Sequence, residues 1–107
     1  MDNNPNTFEE ALDAVYADLR EILVRKHHDY GSENILHFGE YGIVVRAQDK
    51  ISRLGTLVPP KGYVSLHPAV SDETTDDTWI DLANYAMMAL MLRNGTFCLP
   101  LERDAHI

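Results

Sequence analysis

Glu73, Asp77, Asp81 and Asn84 recur at steps of four, four and three, so on a helix they form a single polar row. From Trp79 to Leu92 the residues around that row are almost all apolar. A carboxylate in such surroundings needs a cation, hydrogen bonds or a metal, because leaving it bare costs several kcal/mol. Two aspartates at i and i+4 can share a hard divalent ion, and Mg²⁺ is the usual cytoplasmic choice for oxygen ligands. The plainer alternative for Glu73, Asp76 and Asp77 is that they complement the positive end of the helix. For Asp81, two turns further in, the alternative is a structural salt bridge.

A second set has the opposite sign. Arg46, Lys50 and Arg53, at steps of four and three, stack three positive charges beside an apolar face. Such charges repel unless they face anions: the acidic row itself, or the phosphates of a ligand. The alternative is a solvated basic face.

The stretch Lys26-His27-His28-Asp29-Tyr30-Gly31 makes a plausible rim for such a site, and Asp18 and Arg25 emerge on the same side. Adjacent histidines point in different directions on a helix, which argues against a His-His metal pair. Asp29 as a turn cap and Tyr30 as a core residue stand beside ligand contact as alternatives. No nucleophile elbow, Walker loop or Cys/His zinc spacing occurs, so triad hydrolysis, P-loop chemistry and zinc deamination have no support.

The elements that must carry these residues are helices. Thr7 and Glu10 have capping-box spacing, after a polar lead over residues 1–6 that reads as disordered. Phe8, Leu12, Val15, Leu19, Ile22 and Leu23 then recur at helical steps to about His28. Asp18 falls at the edge of that apolar arc and is expected to face a seam. Gly31 is the expected C-cap, and Ser32 to Gly42 reads as a short helix or turn.

A second long helix places Ile43, Val44, Ala47, Ile51, Leu54 and Val58 on one face and stops at Pro59-Pro60. The segment 59–72, with three prolines and a Lys-Gly turn, reads as a loop, a small hairpin or a flap over a site. The last long helix, capped by Ser71 or Asp72, ends at Asn94-Gly95. Being apolar almost all round, it is expected at the centre of a bundle. The tail, residues 95–107, shows no clear pattern, although Phe97, Leu99 and Leu101 suit an extended segment packing back.

These elements predict one all-α helical domain over 7–94, with three long helices plus short ones. At 107 residues, 45% of them hydrophobic, the chain can bury only a modest core. Pairing with further copies is therefore the default expectation. Seventeen acidic against nine basic residues, a formal charge of -8, argue against polymeric nucleic acid or an anionic membrane as partners. A small phosphate compound remains compatible, through a divalent cation or a local cationic strip. Cys98, the only cysteine, reads as a small packed residue. The start of the chain lacks a signal-peptide layout, and no apolar run is long enough for a bilayer, so a cytoplasmic location is the expectation.

The series Lys26-x-x-Asp29-Tyr30-Gly31, Gly42 with Arg46, Asp49-Lys50-x-x-Arg53-Leu54, and Glu73-x-x-x-Asp77-Thr78-x-x-Asp81-Leu82-Ala83-Asn84-Tyr85-Ala86 spans about residues 20 to 92. In order and spacing it resembles the nucleotide-modification-associated domain family common in phage genomes. That family looks related to the all-helical, MazG-like and dimeric-dUTPase nucleoside triphosphate pyrophosphohydrolases. The resemblance implies an oligomerising helical bundle, a dimer or tetramer, with Mg²⁺ held by helix-borne carboxylates. It also implies cleavage of a nucleoside triphosphate to monophosphate and pyrophosphate.

On that footing Glu21, Asp77 and Asp81 are the expected catalytic residues, and Asp18, Glu21, Glu73, Asp77 and Asp81 the expected metal ligands. Arg46, Lys50 and Arg53 are expected at phosphate, Asp29, Tyr30, Asn84 and Tyr85 at base or sugar, and Lys26 among the substrate-binding residues. MazG-type enzymes carry Glu-Glu-x-x-Glu and Glu-x-x-Asp. Here the first helix offers only Asp18 and Glu21, and Asp77 and Asp81 are one residue further apart. The thinner carboxylate set favours the alternative of a non-catalytic nucleotide binder, an accessory to phage nucleotide modification or a sequestering agent for a signalling nucleotide. A purely structural oligomer, with the two charged strips neutralising each other, is the third reading.

Overall fold

In the computed structural model, residues 4–64 and 72–105 are described, and they are all-helical. Helix α1 spans Phe8–Tyr30, α2 Glu33–Leu57 and α3 Asp72–Asn94, and a 3₁₀ turn covers Glu102–Asp104. Among the described residues no helix is long and apolar enough to cross a membrane.

The helix ends follow local chemistry. Thr7 Oγ1 accepts a hydrogen bond from the Glu10 amide at 3.1 Å, and Glu10 Oε2 reaches back to the Asn6 amide at 2.8 Å. The capping box is thus made with its return bond one residue early. Gly31, at φ 71°, donates its N–H to the His27 carbonyl at 2.8 Å. At the end of α3 the Gly95 amide bonds Leu92 O and the Thr96 amide bonds Met91 O, with Gly95 at φ 71°. That pair of bonds is the Schellman pattern, which satisfies carbonyls the helix would leave open.

The short helix expected before Ile43 is present, joined to the long one. Gly39 interrupts α2 at φ 63°, ψ -154°, a conformation nearly confined to glycine. A Lys61-Gly62 turn follows α2, with the Tyr63 amide bonded to Pro60 O at 3.0 Å. The expected hairpin or flap lies largely in 65–71, outside the described residues, as does the N-cap at Ser71.

The chain divides into two compact units, 1–31 with 100–107, and 32–99. In the first, α1 buries no residue: Phe8 is 78% exposed and Leu12 and Val15 more than half exposed. Asp18, expected at a seam, is likewise exposed, because the apolar arc beside it is uncovered.

In the second unit α2 packs on α3. The core there is Ile43, Leu54, Leu57, Met88 and Phe97, with Thr78 and Asn84 buried among the polar residues. Two differences from expectation follow. The buried line of α2 runs 43–47–50–54–57, so Val44, Ile51 and Val58 are exposed. Helix α3 is covered on one face only, and Trp79 and Leu90 are more than half exposed. An apolar helix surface shows that a partner is needed, and one neighbouring helix cannot supply enough contact to cover it. In the tail Phe97 packs into the core, whereas Leu99 and Cys98 are exposed, which corrects the packed position expected for that cysteine.

Candidate functional site

The core-facing row of α2 carries Lys50 between Ile43 and Leu54, a step of seven and a step of four that keep it on the buried side. The facing row of α3 is Thr78, Asp81, Asn84 and Met88. Charge therefore enters the α2–α3 interface from both helices. Lys50 Nζ lies 2.9 Å from Asp81 Oδ2, with the two side chains 17% and 24% exposed. Both groups are mostly withdrawn from water, so each supplies the counter-charge the other's desolvation requires.

A second ion pair ties the far end. Arg93 Nη1 donates to both oxygens of Glu40, at 3.1 and 3.2 Å. Ten residues along α2, from 40 to 50, match twelve backward along α3, from 93 to 81, so the two pairs together mark an antiparallel register. The Glu40–Arg93 pair is exposed and adds little stability. The Lys50–Asp81 pair carries the energetic weight.

Next to this pair, one helical turn beyond Asp81, sits Asn84. It is only 3% exposed, and among the described residues neither its Oδ1 nor its Nδ2 has a hydrogen-bond partner. A buried amide left this way costs about 1–3 kcal/mol per unsatisfied group. Unpaired buried amides are uncommon in native structures and need a cause. Asn84 offers a donor and an acceptor side by side, the pattern that pairs with a lactam edge, a carboxamide or a hydroxyl.

The other expected residues fall as follows. Arg46 is half-buried one turn before Lys50, Arg53 is exposed, and Tyr85 is half-buried next to Asn84. Asp77 is exposed at the edge of α3, and the side chain of Glu73 lies outside the described residues. The second unit thus brings Arg46, Lys50, Asp81, Asn84 and Tyr85 onto the facing sides of two helices. Asp18, Glu21, Lys26, Asp29 and Tyr30 all belong to α1 in the first unit. There the His28 ring Nδ1 lies 2.9 Å from Asp29 Oδ1, and Tyr30 is 79% exposed rather than packed.

Among the described residues no three His, Cys, Asp or Glu side chains gather in a way that would hold a metal. The α2–α3 layer offers a cationic amine and guanidinium, a carboxylate, and an amide with both hydrogen-bonding functions unused among the described residues.

Comparison with protein-family models, with curated proteins and with solved structures finds no match to this chain.

Proposed function

We propose that this protein binds a nucleotide on the α2–α3 face, with Arg46, Lys50 and Arg53 receiving the phosphates and Asn84 and Tyr85 addressing the sugar or base. The observation that carries this reading is Asn84, a buried amide without a partner beside a half-buried ion pair. In a purely structural interface an apolar side chain at that position would pack better, because nothing there satisfies the amide. Phosphate oxygens can replace Asp81 as acceptors for Lys50, and arginine reads phosphate through two parallel N–H bonds. The resemblance of the Asp49-Lys50-x-x-Arg53 and Asp81-Leu82-Ala83-Asn84-Tyr85 stretches to the phage nucleotide-modification-associated family points the same way.

The second reading is Mg²⁺-dependent pyrophosphohydrolysis of a nucleoside triphosphate, of the MazG-like kind. Asp77, exposed one turn before Asp81, favours it, since carboxylates at i and i+4 are the spacing a shared ion uses. Glu73, on the same helix, would be a further ligand. In either reading the exposed apolar stripe of α1 and the bare side of α3 are covered by further copies of the chain, as a dimer or tetramer in a host cytoplasm.

A panel of nucleoside mono-, di- and triphosphates, each with and without Mg²⁺, tests both. A rise in Tm with intact nucleotide supports binding, and product that appears only with Mg²⁺ supports hydrolysis. No shift and no product with any member of the panel contradicts both.

A further inference from the structure

The first unit holds a feature that the nucleotide reading does not use. Between α1 and the C-terminal segment lies an open cleft of about 800 Å³. In a chain of net charge -8 its walls gather three arginines, Arg20 and Arg25 from α1 and Arg103 from the 3₁₀ turn, with His28, Glu21 and Glu102 beside them. Three of the chain's six arginines meet there. Val24 and Leu101 supply apolar surface between them.

Local structure explains how the walls are built. Arg20, Val24 and His28 follow one another at steps of four, which lines them up along one row of α1 on the side away from Phe8, Leu12 and Val15. Leu101 is extended at φ -62°, ψ 152°, and the Asp104 amide returns to its carbonyl at 2.8 Å. That turn holds Arg103 on the opposite wall.

Two of these charges are also unspent. Arg20 and Arg25 form no ion pair among the described residues, although Glu21 stands four residues before Arg25 at pairing distance along the helix. Arg103 uses only its Nε, in a 3.4 Å contact with Asp104. Glu21 and Glu102 line the cleft too, while Arg103 is matched by Asp104 and His28 by Asp29, so Arg20 and Arg25 are the guanidinium groups left for a ligand. Guanidinium groups that could pair with neighbouring carboxylates but do not are arranged for an external anion.

We infer that this cleft is a binding site for a small phosphomonoester bearing a planar or apolar group. The phosphate sits among Arg20, Arg25 and Arg103, and the apolar part lies on Val24 and Leu101. The size of the cleft suits a small molecule rather than a chain segment. The lining belongs wholly to the first unit, and the assignment stands whether or not the second unit binds nucleotide.

The test is a ¹⁵N NMR titration of the full chain with phenyl phosphate, inorganic phosphate and phenol. Phenyl phosphate should shift the amides of 17–28 and 101–103, phosphate should do so more weakly, and phenol should have no effect. Arg20→Gln and Arg103→Gln should each weaken phenyl phosphate about tenfold, while Arg20→Lys, which keeps the charge, should weaken it less. Near-UV circular dichroism of the same samples checks that the variants remain folded. Shifts confined to α2 and α3, equal binding of phenol, or unchanged affinity in both glutamine variants would overturn the assignment.

Discussion

Lys50 Nζ and Asp81 Oδ2 meet at 2.9 Å in the middle of the α2–α3 interface, where two helices otherwise pack Ile43, Leu54, Leu57 and Met88. Removing one member takes its counter-charge from the other in a partly buried place. Lys50→Met and Asp81→Asn should each cost about 1–3 kcal/mol, less than the 3–5 of a fully buried pair. The double substitution should cost less than the sum, by about 1 kcal/mol or more. Urea denaturation of the four proteins measures the cycle. Strict additivity would mean that the pair contributes only geometry.

Asn84 makes a prediction of the opposite sign. Replacing an amide that has no partner with an isosteric apolar group removes a desolvation cost. Asn84→Leu should raise the urea midpoint by about 1 kcal/mol of stability with an unchanged m-value. The same substitution should lose nucleotide binding, the usual exchange between stability and function. A destabilised Asn84→Leu protein would show that the amide is satisfied in solution.

Two glycines of α2 should respond in opposite ways to alanine. A Cβ on Gly42 would lie 2.4 Å from the Phe38 Cβ across the Gly39 kink, so Gly42→Ala should destabilise by about 1–3 kcal/mol. Gly55, in a helix interior with open space around it, should gain about 0.5–1 kcal/mol as alanine. Paired melting curves decide this, and a destabilised Gly55→Ala would mean that this position touches a second copy of the chain.

At the start of α1, Thr7→Ala removes the acceptor of the Glu10 amide and should cost about 1 kcal/mol. Because the cap is local, the loss should appear first as faster amide exchange over the first turn, and a uniform increase along α1 would argue against it.

What could be read from the sequence was what depends on neighbours in the chain. Thr7, Gly31 and Gly95 act through bonds to residues within five positions, so their caps were visible as residue types. The all-helical class followed from apolar periodicity, which is also local. Periodicity names a face but not what lies against it, and so the stripe of Phe8, Leu12 and Val15 was expected in a core and is exposed in the single chain.

The same gap shaped the reading of the site. The signs of Lys50 and Asp81 showed that each needed a counter-charge, but a metal for Asp81, a phosphate for Lys50 and each other were all open before the register of α2 on α3 was seen. That register turns on Lys50 falling on the buried line, which the Val44–Ile51–Val58 face had obscured. Asn84 was named for its place in the polar row, yet nothing local shows that both its polar atoms are sealed without a partner. The arginine cleft was missed altogether, because it joins the middle of the first helix to the last residues of the chain. Its one advance signal was the row Arg20, Val24, His28.

The central claim is that the Arg46–Lys50–Asn84 face takes a nucleotide. Its most direct measurement is isothermal titration of nucleoside triphosphates, with Mg²⁺, into the native protein and into Arg46→Gln. The account predicts saturable binding by at least one nucleotide, weakened about tenfold or more by Arg46→Gln. At a hundredfold excess over Kd that binding should add about 2.7 kcal/mol to stability, several degrees in Tm. Absence of binding across the panel, or equal affinity in the native protein and Arg46→Gln, would contradict it.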